Sequence, residues 1–366
     1  MLTIDSMNSI VYDEVLDISC LIVLNLLVFI NLRSVIYNKK GIYTNYCVLW
    51  LFITAFSLYY RPLDGDFWSS LNDFIGQGNL YSEHMETIYL WLKDLLDSNY
   101  LLWRFIVWGL AAVWLVLIFK KLDIHPAIAT VCFLVFGLLN SFYYMRNSLG
   151  FGILYFSIAY YTINSRINVR SRFFVLLFLS IISYFFHKSM PLYILCSYIA
   201  LFLNFNKKIL FSLLLLFPIL YFLLNELSVA ILSAGFWQND SGLSYLNVEN
   251  DVYVNWKGML ELIIHYVPFI YIIYCFFRYD IKSDDREFYA RRSFFIIFFL
   301  LAYLSFLFYG QGSKHLHLRF WNTAMYPFSI FIALYYKKYA PSKSCTIFGV
   351  LVGGSILIPY LISILR

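Results

Sequence analysis

Apolar runs of about 20 residues recur along the whole chain, and this feature limits the possible folds more than any other. A run of that length can cross a bilayer as a helix, whereas a buried helix of a soluble core needs only about ten apolar residues. Of the 366 residues, 61% are hydrophobic and 13% are charged, too few charges to cover a surface that faces water. The alternating pattern of a membrane barrel is absent, so the sequence predicts an all-α, polytopic bundle of membrane helices.

We predict about twelve membrane-spanning helices within a single integral membrane domain, residues 1–366, because no Pro/Gly/Ser-rich linker interrupts the pattern. The acidic start of the chain lacks the basic region of a cleaved signal peptide, so the first span is expected to be retained. The predicted spans are residues 16–32, 46–60, 101–119, 127–144, 148–163, 173–186, 191–203, 209–232, 258–277, 293–309, 320–336 and 346–364.

The charged residues indicate the orientation of the chain. With the N-terminus outside, the inward loops hold two thirds of the 27 basic residues and about a quarter of the 21 acidic ones. The positive-inside rule then places both termini on the non-cytoplasmic face.

The net charge of +6 does not indicate nucleic-acid binding, because the basic residues form short clusters between apolar spans. The six cysteines show no paired spacing, so neither a disulfide framework nor a zinc site is predicted.

Two long loops, residues 61–99 and 233–257, face outward in this orientation. The first carries apolar residues at helical spacing in two stretches, which predicts amphipathic helices lying in the membrane interface. Asp64 or Asp66 could act there as a helix cap. In the second loop, Trp237 lies among aromatic, acidic and amide residues, a composition that suits sugar binding and is equally typical of an interfacial aromatic belt.

The short outward turns place cations at the ends of spans. They hold Arg146 with Asn147, His187 with Lys188, and the segment His315-Leu316-His317-Leu318-Arg319. For Arg104 and Arg366 we expect extension to the interface without a further role. Arg146 and Arg319 could instead point into a shared cavity, and ionisable groups at membrane depth usually mark function.

One further pair lies inside a predicted span. Glu261 and His265 are one helical turn apart and therefore lie on the same side of the helix. They could form a structural pair, or a histidine base that a carboxylate orients.

This set of side chains suits transfer from a lipid pyrophosphate. Arginine binds phosphate in a bidentate manner, and histidine can take a proton from a sugar hydroxyl near neutral pH. The sequence contains neither a phosphate-binding Gly-x-x-x-x-Gly-Lys loop nor a His-Glu-x-x-His motif. Asp64-Gly65-Asp66 matches a metal-binding Asp-x-Asp motif, but it lies on the outward face, where sugar nucleotides are not found.

The chain resembles the EpsG family of Wzy-type polysaccharide polymerases over nearly its whole length. In the family an arginine is usually followed by glutamine, whereas this chain has Asn147. The residues that carry the resemblance are Arg61 with Asp64-Gly65-Asp66, Glu86, Arg146-Asn147-Ser148-Leu149, Phe186-His187-Lys188-Ser189 and Arg319.

The resemblance implies a bundle similar to lipid-donor glycosyltransferases of the C type (GT-C-like), in the bacterial plasma membrane. The enzyme would join undecaprenyl-pyrophosphate-linked repeat units on the outer face by inverting transfer, with no metal or other cofactor and with a chain-length regulator and a flippase as partners. Arg146, Arg319 and Arg61 would bind pyrophosphate; His187 would be the base, with Asp66 or Glu86 orienting or replacing it. The expected substrate contacts are Asp64, Asn147, Lys188, Trp237, His315, His317, Glu261 and His265.

Three other classes of protein remain open at this point. An O-antigen ligase, or another transferase of lipid-linked sugars, would use the same chemistry with a different acceptor. A flippase or transporter would need polar groups through the membrane, whereas the predicted spans are apolar at their centres. An acyltransferase could use His187 but would give the arginines no evident role.

Overall fold

The computed structural model describes residues 87–96, 100–124, 145–164, 166–187, 189–203, 208–216, 219–220, 270, 273–274, 287–310 and 314–339. Within these residues no strand occurs, which confirms the all-helical prediction for this part of the chain. The helices are α1 (Thr87–Leu95), α2 (Tyr100–Lys121), α3 (Met145–Ile163), α4 (Val169–Tyr184), α5 (Met190–Phe202), α6 (Phe288–Gly310) and α7 (Lys314–Tyr339).

Two of the described helices are long and apolar enough to cross a membrane. They contain the segments Leu102–Lys121 in α2, with a mean hydropathy of 2.1, and Phe288–Leu307 in α6, with a mean hydropathy of 1.7. The predicted spans 16–32, 46–60, 127–144, 258–277 and 346–364 fall wholly or largely outside the described residues, as do both chain termini and the loop 233–257. The number of about twelve spans therefore stays a prediction.

Several helices begin earlier than their apolar segments predict. The expected starts at residues 148, 293 and 320 are replaced by Met145, Phe288 and Lys314. The prediction was wrong there because an apolar window marks only the part of a helix that suits lipid, whereas polar residues can continue the helix beyond it. Arg146, Asn147, His315, His317 and Arg319 consequently lie in the first two turns of helices and not in loops.

The chain divides into two units, Met1–Met190 with Ile332–Pro341 and Pro191–Phe331 with Ser342–Arg366. In the first unit α2 and α3 run in the same direction. A Cβ atom on Gly152 would lie 2.7 Å from Cβ of Trp114 and 3.7 Å from the carbonyl oxygen of Ala111. Further along both helices, Nζ of Lys121 lies 4.8 Å from the ring centroid of Tyr160. The two helices therefore begin at the same end of the unit.

The C-terminal end of α2 is closed by a Schellman motif. Asp123 has a positive φ of 50°, its N–H donates to the carbonyl of Lys120 (3.2 Å), and the N–H of Ile124 donates to that of Phe119 (3.0 Å). These bonds satisfy two carbonyl groups that the helix itself leaves without partners.

Basic side chains complete the closure of this end of the first unit. Nζ of Lys337 donates to the carbonyl of Leu122 (3.1 Å) and pairs with Asp123 (3.3 Å). Nη1 of Arg172 donates to the carbonyl of Tyr161 in the last turn of α3 (2.7 Å). Cations at helix C-termini are favourable because the helix dipole is negative there.

The helix α4 presents large apolar side chains to the surroundings along its length. It starts after Asn168, whose side chain accepts a hydrogen bond from the N–H of Arg170 (3.0 Å) and so acts as the N-cap. Phe174, Phe178 and Ile181 are all exposed. A continuous apolar surface of this kind is unfavourable in water and suits contact with lipid.

The second unit contains α6 and the part of α7 up to Phe331, and the two run antiparallel. Ring pairs alternate along the two helices, with Phe295 against Phe331 (5.5 Å between centroids), Phe298 against Phe328 (4.9 Å) and Phe306 against Trp321 (5.5 Å). Near the start of α6, Nη2 of Arg292 donates to the carbonyl of Leu203 after α5 at 3.4 Å. A basic residue thus lies at the end of a helix in this unit as well.

The packing of α2 on α3 predicts a different result for each of two glycines. Gly152→Ala forces a methyl group against Cβ of Trp114, which cannot move without its helix, and should lower the free energy of unfolding by about 1–3 kcal/mol. Gly109→Ala, where a Cβ atom meets nothing within 4 Å, should instead raise it by about 0.5–1 kcal/mol because alanine favours helix. Thermal unfolding in detergent measures both, and equal effects would contradict the close approach.

Candidate functional site

The predicted site residues fall into three groups. His187, Asn147, His317 and Arg319 have described side chains, and Arg146 and His315 lie within α3 and α7. The others lie outside the described residues, and their roles stay predictions: Arg61, Asp64, Asp66, Glu86, Lys188, Trp237, Glu261 and His265.

His187 lies in the turn between α4 and α5, and backbone hydrogen bonds fix its position. Its N–H donates to the carbonyl of Tyr184 (3.3 Å), and its own carbonyl accepts from the N–H of Met190 (3.0 Å), the first residue of α5. His187 as a whole is partly buried.

The ring of His187 is oriented by the next serine. Its Nδ1 accepts a hydrogen bond from the backbone N–H of Ser189 (3.1 Å) and lies 2.6 Å from the hydroxyl oxygen of the same residue. Both contacts lie within the turn, since Ser189 precedes the first residue of α5, and they hold the ring against its own backbone.

The turn that carries His187 packs against the first turns of α3. A Cβ atom on Gly150 would lie 2.9 Å from Sδ of Met190 and 3.3 Å from the carbonyl oxygen of Ser183, so glycine lets the end of α4 and the start of α5 approach α3 closely. Phe186 lies edge-on to Tyr89 of α1 (6.2 Å between centroids), and Tyr89 lies edge-on to Trp103 of α2 (5.7 Å). The structure thus holds the His187 turn beside the segment that begins with Arg146 and Asn147.

The first turn of α3 combines buried polar groups with a helix N-terminus. Asn147 and Ser148 are 4% and 2% exposed. The first N–H groups of a helix have no partner inside it, and the dipole makes this end favourable for anions. Arg146 lies in the same turn. The segment predicted to bind phosphate therefore forms the first turn of a buried helix.

The structure corrects the expectation for Arg104, which we placed at the membrane interface. Its side chain is 2% exposed. The helix α2 begins at Tyr100, so Arg104 lies one full turn inside it. Ala111 of α2 lies beside Gly152 of α3. Arg104 precedes Ala111 by seven residues, and Met145 precedes Gly152 by seven. Because the two helices are parallel, Arg104 lies level with the start of α3. The sequence feature that could have indicated the burial of Arg104 is a single arginine within a strongly apolar helix.

The helix α1 also departs from its prediction. Its apolar residues at helical spacing, expected to lie against lipid headgroups, contribute instead to a cluster with α2 and α3. Tyr89 is buried, and Ile88, Leu92 and Leu96 are partly buried in this cluster, whereas Trp91 is exposed. The helix therefore supports the His187 turn through Tyr89. The other predicted interfacial stretch, near residue 70, lies outside the described residues.

In the second unit, His317 joins α6 to α7. Its side chain is 0% exposed. Nδ1 lies 3.0 Å from the carbonyl oxygen of Ser305 and 2.8 Å from its hydroxyl oxygen, and the hydroxyl donates to the carbonyl of His317 (2.9 Å). A carbonyl oxygen only accepts, so Nδ1 carries a proton. Arg319, two residues later, is partly exposed.

Comparisons with protein-family models, with curated proteins and with solved structures found no match for this chain.

The link between His317 and Ser305 predicts a measurable contribution to stability. Ser305→Ala removes both contacts of the buried hydroxyl group and should lower the free energy of unfolding by about 1 kcal/mol. Ser157→Ala is the matched control, since this buried hydroxyl bonds only to Leu154 of its own helix (2.6 Å). A cost at Ser157 equal to that at Ser305 in thermal unfolding would contradict a specific link between α6 and α7.

Proposed function

We propose that this chain is a membrane-embedded polysaccharide polymerase that joins undecaprenyl-pyrophosphate-linked repeat units on the outer face of the bacterial plasma membrane. The observation that carries the proposal is the packing of the His187 turn against the first turns of α3. Two separate motifs, Arg146-Asn147-Ser148-Leu149 and Phe186-His187-Lys188-Ser189, are thereby brought to one place. Their meeting is expected if both contact the same substrate.

The local charges suit a pyrophosphate at this place. The N-terminus of α3 favours an anion, and Arg146 lies in its first turn. Arg104 lies level with this turn and adds a second cation that the sequence argument did not include. Cations held in a site of low polarity stabilise the charge that develops on a leaving pyrophosphate.

In the proposed reaction the terminal hydroxyl group of the acceptor attacks the anomeric carbon of the donor. A new bond forms from the hydroxyl oxygen to this carbon, the bond from the carbon to the pyrophosphate oxygen breaks, and the electron pair leaves with the lipid pyrophosphate. The hydroxyl proton passes to a side chain, for which His187, Asp66 and Glu86 are the candidates. A single displacement inverts the anomeric configuration, and no metal ion or cofactor is required.

The arrangement of charges in the first unit supports the proposed orientation. The basic residues that close helix C-termini, Lys337 and Arg172, lie at the ends of α2 and α3, and the His187 turn lies at their beginnings. The positive-inside rule assigns such a basic end to the cytoplasm. The proposed fold is a GT-C-like bundle of about twelve spans with both termini outside, and the apolar face of α4 faces lipid.

The main alternative is a ligase that transfers the same lipid-linked glycan to another acceptor. The site described above would serve either reaction, because the donor and the leaving group are the same. A flippase is the second alternative, and it predicts movement of the lipid-linked glycan without a new glycosidic bond. The length of the product distinguishes the polymerase, the ligase and the flippase.

A polymerisation assay tests the proposal. The full-length protein in detergent is given a lipid-pyrophosphate-linked repeat unit with EDTA present, and the products are separated by size. We expect a ladder of multiples, reduced about 100-fold or more in Arg104→Met and His187→Ala because each loses a polar group at the reacting centre. Arg319→Ala should also lower the yield, because the sequence predicts that Arg319 binds the pyrophosphate.

Arg170→Ala is the matched control, since Arg170 is exposed and lies in the first turn of α4, at the opposite end of the unit. It should leave the ladder unchanged. Size-exclusion profiles and thermal unfolding show which variants remain folded. A single transfer to an external acceptor would favour the ligase, and an unchanged substrate would favour the flippase. A ladder unaffected by all three site substitutions would place the reaction elsewhere in the chain.

A further inference from the structure

The helix α4 has two faces of different composition. Its small residues Ser180 and Ser183 are buried, and the carbonyl oxygen of Ser183 lies where α4 meets Gly150 of α3. Its large apolar residues are on the other face, where Phe174 is 66% exposed and Phe178 is 62% exposed. Helices in membranes approach one another through small residues. The exposed face lacks such residues, and its composition suits contact with lipid chains.

The exposed residues form a row with the length of one bilayer leaflet. Phe174, Phe178, Ile181 and Phe185 follow one another at intervals of three or four residues, and all four are exposed. We call them the apolar row. At a rise of about 1.5 Å per residue the row spans about 17 Å. This is close to half of a hydrocarbon core of about 30 Å, so the row matches one acyl chain.

Two arginines lie at the beginning of the apolar row. Arg170 is in the first turn of α4, four residues before Phe174 and therefore on the same face, and Arg166 precedes the helix. Both arginines are exposed, and among the described residues neither guanidinium forms a hydrogen bond or an ion pair. The segment 166–187 contains no acidic residue. The row therefore begins at an exposed positive charge.

Three other cations at this end of the unit have partners within the protein. Each contacts a carbonyl, a carboxylate or an aromatic ring near the end of α2 or α3: Arg172, Lys337 and Lys121. The fold explains their positions, because such contacts stabilise helix C-termini. It gives no such role to Arg166 and Arg170, whose charge is open to a partner outside the chain.

We propose that the start of α4 binds an anionic phospholipid, with Arg166 and Arg170 at the phosphate and an acyl chain along the apolar row. The positive-inside rule assigns this end to the cytoplasmic leaflet, whose anionic lipids are attracted by basic residues. This lipid is distinct from the lipid-linked glycan, because the His187 turn follows the far end of α4. The inference therefore does not depend on the proposed reaction.

A second copy of the chain suits this face less well. Two copies in one membrane have the same orientation, so a symmetric contact through α4 would place the two helix starts together. The arginines at these starts would then face each other, and like charges repel. The large side chains of the apolar row would also prevent a close approach of the two helices.

Lipid binding to the full chain in detergent tests the proposal. Phosphatidylglycerol and phosphatidylcholine with identical acyl chains are titrated, and native mass spectrometry gives the affinity for each. A cation near an anionic headgroup contributes roughly fivefold, so the unsubstituted chain should bind phosphatidylglycerol about 20-fold more tightly than phosphatidylcholine. In the double variant R166Q/R170Q this preference should fall to about twofold or less.

Lys120→Gln is the matched control. Lys120 is exposed and lies in the last turn of α2, so this variant loses a charge at the same end of the unit but not on α4. It should keep the preference of about 20-fold. Thermal unfolding shows that each variant is folded before its affinity is compared.

Two further measurements locate the lipid. Phosphatidylglycerol with a photoreactive acyl chain should cross-link to the segment 174–185, identified by peptide mapping. Glycerol phosphate, which has the same phosphate without the chains, should bind at least about tenfold more weakly, because it cannot bury apolar surface on the row.

Each of four results would overturn the inference. Equal affinities for the two lipids would exclude a preference for anionic headgroups, and a loss in Lys120→Gln equal to that in the double variant would place it elsewhere. Glycerol phosphate bound as tightly as the lipid would assign the arginines to a free phosphate. Disulfide formation between two copies of Phe178→Cys, without lipid labelling of α4, would assign the face to a dimer. A preference that depends on both arginines, with labelling on α4, supports the inference whether or not the chain polymerises glycans.

Discussion

A helix leaves the N–H groups of its first turn and the carbonyl groups of its last turn without partners, and apolar surroundings make every such group costly. In the first unit the carbonyl ends and the N–H end of the helices have different surroundings. The carbonyl ends of α2 and α3 are closed by a Schellman motif and by Lys337 and Arg172. The first turn of α3 carries the buried side chains of Asn147 and Ser148, and the helix dipole is positive at this end. The electrostatic polarity of the unit follows from this asymmetry.

Close packing then determines where the polar groups meet. Gly152 lets α3 approach Trp114 of α2, and Gly150 lets the end of α4 and the start of α5 approach the beginning of α3. The contacts of Tyr89 with Phe186 and Trp103 hold the same turn from the side of α1. His187 is therefore positioned by apolar and backbone contacts on several elements, and Ser189 contributes to the orientation of its ring.

The sequence predicted the helices well and their ends poorly. Long apolar runs located the centres of most of the described helices, because burial or contact with lipid requires apolar residues there. The starts of α3, α6 and α7 were missed, since a helix continues through polar residues wherever a cap or a neighbouring side chain satisfies its backbone. Arg104 was misassigned because its burial depends on how adjacent helices pack. The motif around His187 was visible, but the orientation of its ring depends on a turn and a rotamer that spacing alone does not specify.

The pairing of Lys337 with the end of α2 has a consequence for biogenesis. Its partner Asp123 lies 214 residues earlier, so at about 5–20 residues per second the ribosome needs roughly 10–40 s to supply the lysine after the aspartate has been made. During that interval the Schellman motif closes the helix alone, and the carbonyl of Leu122 depends on water. The carbonyl of Leu122 therefore gains its lysine partner only after α7 has been made and its C-terminal part packs against the end of α2.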